Sequence, residues 1–218
     1  MRFGVLGTGS VGQTIGGKLV ALGHEVKMGA RQAGNPKAAA WVRGAGGTAS
    51  QGTFSEAAAF GEVVFNCTAG TGSLEALQAA GEGNLRGKIL VDVANPLDFS
   101  KGMPPTLFIS GGGDSLAERI QAAFPETRVV KALNTVNASV MVDPAKVPGE
   151  TDLFVCGNDA EAKSRVMELL RRFGWKSVID LGDVTAARGT EAYLLLWLRL
   201  WGALGTPTLN VKVLAAKA

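Results

Sequence analysis

A doubly wound α/β fold with a mostly parallel sheet is predicted by three observations. Short valine-rich runs alternate with helix-period runs along the 218 residues. The strand-type runs are apolar on consecutive positions, as expected when helices cover both faces of a sheet. A glycine-rich turn joins the first of these runs to the first helix, the usual opening of a βαβ unit. The length suits one domain of roughly 100–200 residues with at most an appendage. We divide it into a nucleotide-binding unit, 1–182, and a short helical and extended appendage, 183–218.

The predicted strands are Phe3–Leu6, Glu25–Met28, Val63–Cys67, Ile89–Val93, Arg128–Lys131, Leu153–Cys156 and Ser177–Ile179. Between them, Val11–Leu22 repeats apolar residues at Val11, Ile15, Leu19 and Leu22, one face of a helix. Ser115 and Glu118 form a capping-box pattern that opens a helix over Leu116–Phe124, and Pro125 closes it. A third helix is expected over Ala160–Phe173, with Gly174 as its C-terminal stop. After Gly182 comes a helical stretch, Val184 to Ala203, whose second half is apolar nearly all round. Such a helix has to be buried, either at a homodimer interface or across the sheet of its own chain. Thr208–Leu214 reads as one more extended piece.

Composition narrows the function classes. Hydrophobic residues make up 46% and charged residues 19%, which excludes a disordered chain. The 30 glycines lack a triplet period, which excludes collagen. The net charge of +3 is spread without a run of like charges, so no nucleic-acid partner is expected. Cys67 and Cys156 sit inside apolar runs and read as core thiols. A single histidine makes a histidine metal site hard to build, and none is expected. The opening Arg2–Leu6 run has no signal-peptide pattern, and the most apolar stretch, 192–204, contains Arg199 and is too short for a bilayer. The expectation is a cytoplasmic protein that handles a small-molecule substrate, away from membranes.

Gly7-Thr8-Gly9-Ser10-Val11-Gly12 matches G-x-G-x-x-G between a strand and a helix. Gly7 permits the tight turn, Gly9 lets the backbone approach a pyrophosphate, and Gly12 lets the helix pack on the strand. The helix N-terminus offers free N–H groups to the anion. This context makes the fold Rossmann-type and the ligand a dinucleotide. An NAD site places Asp or Glu at the end of the second strand. Here Gly29-Ala30-Arg31-Gln32 stands there instead, and a guanidinium suits the 2′-phosphate of NADP, with Thr8 and Lys37 as helpers. His24 is expected to be a surface turn residue.

Carbonyl reduction needs a proton donor as well as a hydride donor, and the usual donors are missing. Tyr193 is the only tyrosine, and Trp197 stands where a Tyr-x-x-x-Lys pair would need lysine. Lys131 lies in a strand that reads as buried, where a packed stem and a paired ammonium are at least as natural as catalysis. The residues at the strand ends are neutral: Asn66-Cys67-Thr68-Ala69, Asn95-Pro96 and Asn134-Thr135. No catalytic residue is assigned. A neutral, amide-lined pocket suits direct hydride transfer to a conjugated ring, which needs orientation above all.

The chain resembles the NADPH-dependent oxidoreductases of the deazaflavin coenzyme factor 420, and the reductase domain of the six-transmembrane epithelial antigen of prostate metalloreductases. The resemblance rests on Gly7–Gly12, Gly29-Ala30-Arg31, Val91-Asp92-Val93-Ala94-Asn95-Pro96, Val130–Thr135 and Val155–Asp159, and covers 1–182 best. It implies that Thr8, Ser10 and Val11 line the pyrophosphate, and that Arg31 and Gln32 contact the 2′-phosphate. It also implies that Thr68 and Ala69 lie near the nicotinamide ribose. Asn95-Pro96 and Ala132-Leu133 would then bound the nicotinamide, and a deazaflavin or flavin would stack on its open face. Ala30 stands where the family often carries serine. The chain ends without transmembrane helices, so haem-linked iron reduction is not expected. Two other readings stay open: a reductase of an imine or small carbonyl, and an NADP-binding sensor that does no chemistry.

Overall fold

The computed structural model describes residues 1–109 and 113–216. Ten strands and nine α-helices alternate along these residues. In chain order they begin β1 (Arg2–Leu6), α1 (Ser10–Ala21), β2 (Glu25–Ala30), α2 (Pro36–Ala45), β3 (Ala49–Thr53), α3 (Phe54–Phe60) and β4 (Val63–Asn66). Next come α4 (Ser73–Ala80), α5 (Glu82–Leu85), β5 (Ile89–Asp92), the ribbon of β6 (Leu97–Asp98) and β7 (Thr106–Leu107), α6 (Leu116–Ala123) and β8 (Arg128–Ala132). The last are α7 (Ala138–Val142), β9 (Asp152–Cys156), α8 (Ala160–Phe173), β10 (Ser177–Asp180) and α9 (Ala187–Leu204).

Eight strands form one sheet in the order β10-β9-β8-β5-β4-β1-β2-β3. Every pairing is parallel except β8 with β9. The strand order reverses between β1 and β4, so a crevice opens where α1 and the loop after β4 leave the sheet in opposite directions. Alternate side chains feed two cores. Phe3, Val5, Val63, Phe65, Ile89 and Val91 pack on the side of α1, α2, α7 and α8. Leu6, Val64 and Leu90 pack on the side of α3, α4 and α6. The Rossmann-type sheet is therefore wound on both faces, as expected.

Capping follows the local chemistry. The Ser115 hydroxyl accepts from the Glu118 N–H at 3.1 Å and opens α6. Asp159 caps α8, and Gly174, with φ of +114°, ends it. Three strands have no counterpart in the expected set: the two-residue strands β6 and β7 of the ribbon, and β3. The sequence of β3, Ala-Ser-Gln-Gly-Thr, forms an edge strand with only Gly52 buried, so it carries no apolar signal.

Two expectations need correcting. His24 is buried, not a surface turn residue, because the turn at Gly23 folds it beneath Phe3 with ring centroids 5.0 Å apart. The 208–214 tail forms no strand, although the Asp152 N–H donates to the Val211 carbonyl and the Val213 N–H to the Asp152 carboxylate. Helix α9 packs Leu194 and Trp197 against its own chain, while Leu195, Leu196 and Leu204 stay exposed. Among the described residues, no helix is long and apolar enough to cross a membrane.

Candidate active site

The glycine loop leaves β1 at the crevice. Gly7 has φ of +119°, and a Cβ there would meet the Cys67 carbonyl at 2.6 Å, so the loops after β1 and β4 touch backbone to backbone. A Cβ on Gly12 would lie 2.1 Å from the Gly7 carbonyl oxygen, which seats α1 directly on the turn. A Cβ on Gly9 would meet nothing within 4 Å. Gly9 is also the N-cap of α1 and makes no side-chain cap bond, so the first-turn N–H groups keep their capacity for an anion. The Gln13 side chain donates to the Thr8 carbonyl at 2.9 Å and braces the loop. Thr8, Ser10 and Val11 thus come together at this N-terminus.

Arg31 and Gln32 follow β2 directly and are exposed. The Arg31 guanidinium reaches over the crevice toward α4, with its Nε 3.9 Å from a Glu75 carboxylate oxygen. Lys37 lies in the first turn of α2, behind the Asn35 cap. An extended dinucleotide fits these residues: an anion-ready helix start, open space at Gly9, and an exposed guanidinium at the end of β2.

A cavity of about 280 Å³ continues from the loop along the strand ends. Val11, Thr68, Ala69 and Asn95 line it, as do Asn134 and Val136. Pro96, Ala132 and Leu133 are buried outside that lining. Leu133 is the one described non-glycine residue with positive φ, at +64°. This conformation turns the chain so that the Asn134 amide donates to Asn95 Oδ1 at 3.0 Å, and the Asn95 amide donates to the Asn134 carbonyl at 2.8 Å. Leu194 and Trp197 of α9 complete the wall. Sequence reasoning assigned neither of them to the site, since periodicity shows that a helix is buried but not what it faces.

Behind the cavity the strand ends are not all neutral. Lys131 Nζ lies 2.8 Å from Asp92 Oδ2 and 2.8 Å from Glu191 Oε1, with all three side chains essentially inaccessible to solvent. It also donates to the Ala94 carbonyl. The Asn66 amide donates to Asp92 Oδ1 at 2.8 Å, and the Thr68 hydroxyl donates to Asn66 Oδ1 at 2.6 Å. Burial acts to lower the Lys131 pKa, but the charges and hydrogen bonds of Asp92 and Glu191 outweigh it and hold the ammonium above its ordinary value. Burial pushes the Cys67 thiol far up, and pushes Cys156 up to about 12. Neither thiol is a nucleophile at neutral pH. No group of three or more potential metal ligands occurs among the described residues.

Residues 2–96 match the family described as NADP oxidoreductase, coenzyme F420-dependent. The fold superposes with TM-score 0.93 on the crystal structure of a proposed F420-dependent NADP-reductase from Arthrobacter sp. FB24, at 51% identity over 99% of this chain and 100% of that one. The chain belongs to the coenzyme F420-dependent NADP oxidoreductase family. Within reach of this family lies the metalloreductase STEAP3 of Rattus norvegicus, 32% identical over 202 residues, 92% of this chain and 38% of that protein. The F420-dependent NADP reductase of Methanocaldococcus jannaschii is 35% identical over 116 residues, 53% of this chain and 52% of that one. The chain thus spans about two fifths to one half of these two relatives. By its own description, the chemistry of the F420-dependent family is NADP-linked oxidoreduction, and the glycine loop, Arg31 and Asn95 lie at or near the matched segment.

Proposed function

We propose that this protein is an NADP(H)-dependent oxidoreductase that passes hydride between NADPH and a deazaflavin (factor 420) or flavin ring held in the cavity. The observation that carries this reading is Arg31 at the end of β2, where an NAD site would hold a carboxylate, on the same crevice as the cavity. Bound NADPH supplies a hydride and leaves as NADP⁺; the acceptor ring takes that hydride together with one proton from solvent. The chain's own part is placement. The α1 N-terminus and Arg31 hold the phosphates, Thr68 and Ala69 border the ribose, and Asn95, backed by the buried Pro96, Ala132 and Leu133, shapes the nicotinamide end. Leu194 and Trp197 offer the acceptor an apolar surface.

Lys131 is enclosed by two carboxylates and a carbonyl, away from the cavity lining, which argues against proton delivery to an imine or carbonyl. The same reading includes a homodimer through the exposed leucines of α9, tested by sedimentation, and a cytoplasmic location.

The experiment is a titration with NADPH and NADH, wild type against Arg31→Ala, followed by anaerobic addition of oxidised deazaflavin or FMN. Tight NADPH binding that collapses in the variant, with bleaching of the acceptor, supports the reading. Binding of NADPH and NADP⁺ with different affinity and no bleaching of either acceptor supports a sensor instead.

A further inference from the structure

The buried charges join two walls of the cavity, behind a neutral link in which the Asn134 amide donates to Asn95 Oδ1 at 3.0 Å and to the Thr190 carbonyl of α9 at 3.1 Å. On the cofactor side, both backbone polar groups of Ala94 are tied: its N–H donates to Asp92 Oδ1 at 3.3 Å, and its carbonyl accepts from Lys131 Nζ. Ala94 is followed by Asn95, and both line the cavity. On the other side, Glu191 lies three and six residues ahead of Leu194 and Trp197, the α9 residues in the cavity wall. One Glu191 oxygen accepts from the Leu116 N–H at 2.8 Å, and the other accepts from the Ala117 N–H at 3.1 Å and from Lys131. One ammonium thus bridges β5 and α9. The excess negative charge of two carboxylates against one lysine faces the positive N-terminal end of α6.

Stability alone gives little reason for such a set, because apolar residues of similar volume commonly hold two elements together as well or better. Charged hydrogen bonds add direction and register, which apolar contacts do not fix. We propose that Asp92, Lys131 and Glu191 are positioning residues that set the gap between the Ala94–Asn95 wall and the Leu194–Trp197 wall. This rests on the hydride-transfer reading, in which that gap is the separation of donor and acceptor rings. Errors of about 1 Å in such a gap can cost roughly a hundredfold in rate. The phosphates are held elsewhere, by the α1 N-terminus and Arg31, so NADPH affinity is nearly independent of the clamp.

The test compares wild type with Glu191→Gln, and with the all-neutral variant Asp92→Asn/Lys131→Met/Glu191→Gln, which buries no charge. In single-turnover reduction of FMN or a deazaflavin, both variants lose roughly ten- to a hundredfold in rate. NADPH affinity stays within about threefold, and the primary isotope effect with 4-deuterated NADPH grows. The all-neutral variant melts close to wild type and remains slow. Unchanged rates overturn the proposal, and so does a parallel loss of rate and NADPH affinity.

If wild type itself reduces neither acceptor, the hydride-transfer reading fails, and amide hydrogen exchange decides the clamp separately. Faster exchange at 94–97 as well as 190–197 in Glu191→Gln, with 7–12 unchanged, supports it. Faster exchange confined to α9 and α6 overturns it.

Discussion

Arg31 and Glu75 face each other across the mouth of the crevice, one just past β2 and the other in the first turn of α4, with Nε 3.9 Å from Oε1. Both side chains are about three-quarters exposed, so the pair itself adds little to stability. Its consequence is for ligands, because Glu75 draws on the guanidinium that a 2′-phosphate would use. Arg31→Ala is expected to weaken NADPH binding about ten- to a hundredfold while leaving NADH nearly unaffected. Glu75→Gln should strengthen NADPH binding about two- to threefold. Parallel titrations with the two nucleotides at fixed ionic strength check both.

Gly9 and Gly12 separate binding from folding. An alanine at 9 projects into open space, so Gly9→Ala should melt like wild type yet lose dinucleotide binding at least tenfold, because its methyl would occupy the space that the proposed site gives to the pyrophosphate. An alanine at 12 would press on the Gly7 carbonyl, so Gly12→Ala should lower the melting temperature as well. Thermal melts with and without NADPH distinguish the two.

Lys131→Met alone leaves Asp92 and Glu191 buried without their cation. Breaking a buried pair from one side costs about 3–5 kcal/mol, and that loss is expected in urea unfolding. Restoring neutrality by adding Asp92→Asn and Glu191→Gln should recover most of it. Failure to recover would mean that the lysine stem, not the charge, carries the stability.

His24 should make the fold acid-sensitive. Burial, then the charges of Arg172 and the N-terminus, hold its pKa below the ordinary 6.5, and its Nε2 has no hydrogen-bond partner. The unfolded chain therefore takes up a proton near pH 6.5, before the folded chain does. Stability from the neutral imidazole is complete above that pH and drains away as pH falls toward the lower folded value. In His24→Leu the drop in melting temperature between pH 7.5 and 5.5 should be smaller than in wild type.

Much of this architecture was legible along the chain. Consecutive apolar residues in Val63–Phe65 and Ile89–Val91 announce strands buried on both faces, the Ser115 cap announces a helix start, and Gly174 announces a helix end. The G-x-G-x-x-G turn and the arginine after β2 are local as well, since each works through the backbone or the side chain of its own segment. The polar edge strand β3 left no such trace, because its residues neither alternate nor bury enough apolar surface. His24 was misplaced for a similar reason: a turn composition predicts exposure, and only Phe3 packing over it makes it part of the core.

Local pattern is enough to specify which segments are strands, where helices begin and stop, and where a phosphate can sit, because those depend on neighbours within a turn or two. The rear of the site was decided by tertiary structure. Asp92, Lys131 and Glu191 are dispersed through three elements, and each alone would pay a large desolvation penalty. Only the folded chain, with α9 laid against α6 and β7, brings both carboxylates to 2.8 Å from the ammonium and makes their burial tolerable. The same placement turns an apolar helix that reads as a generic buried surface into one wall of the cavity.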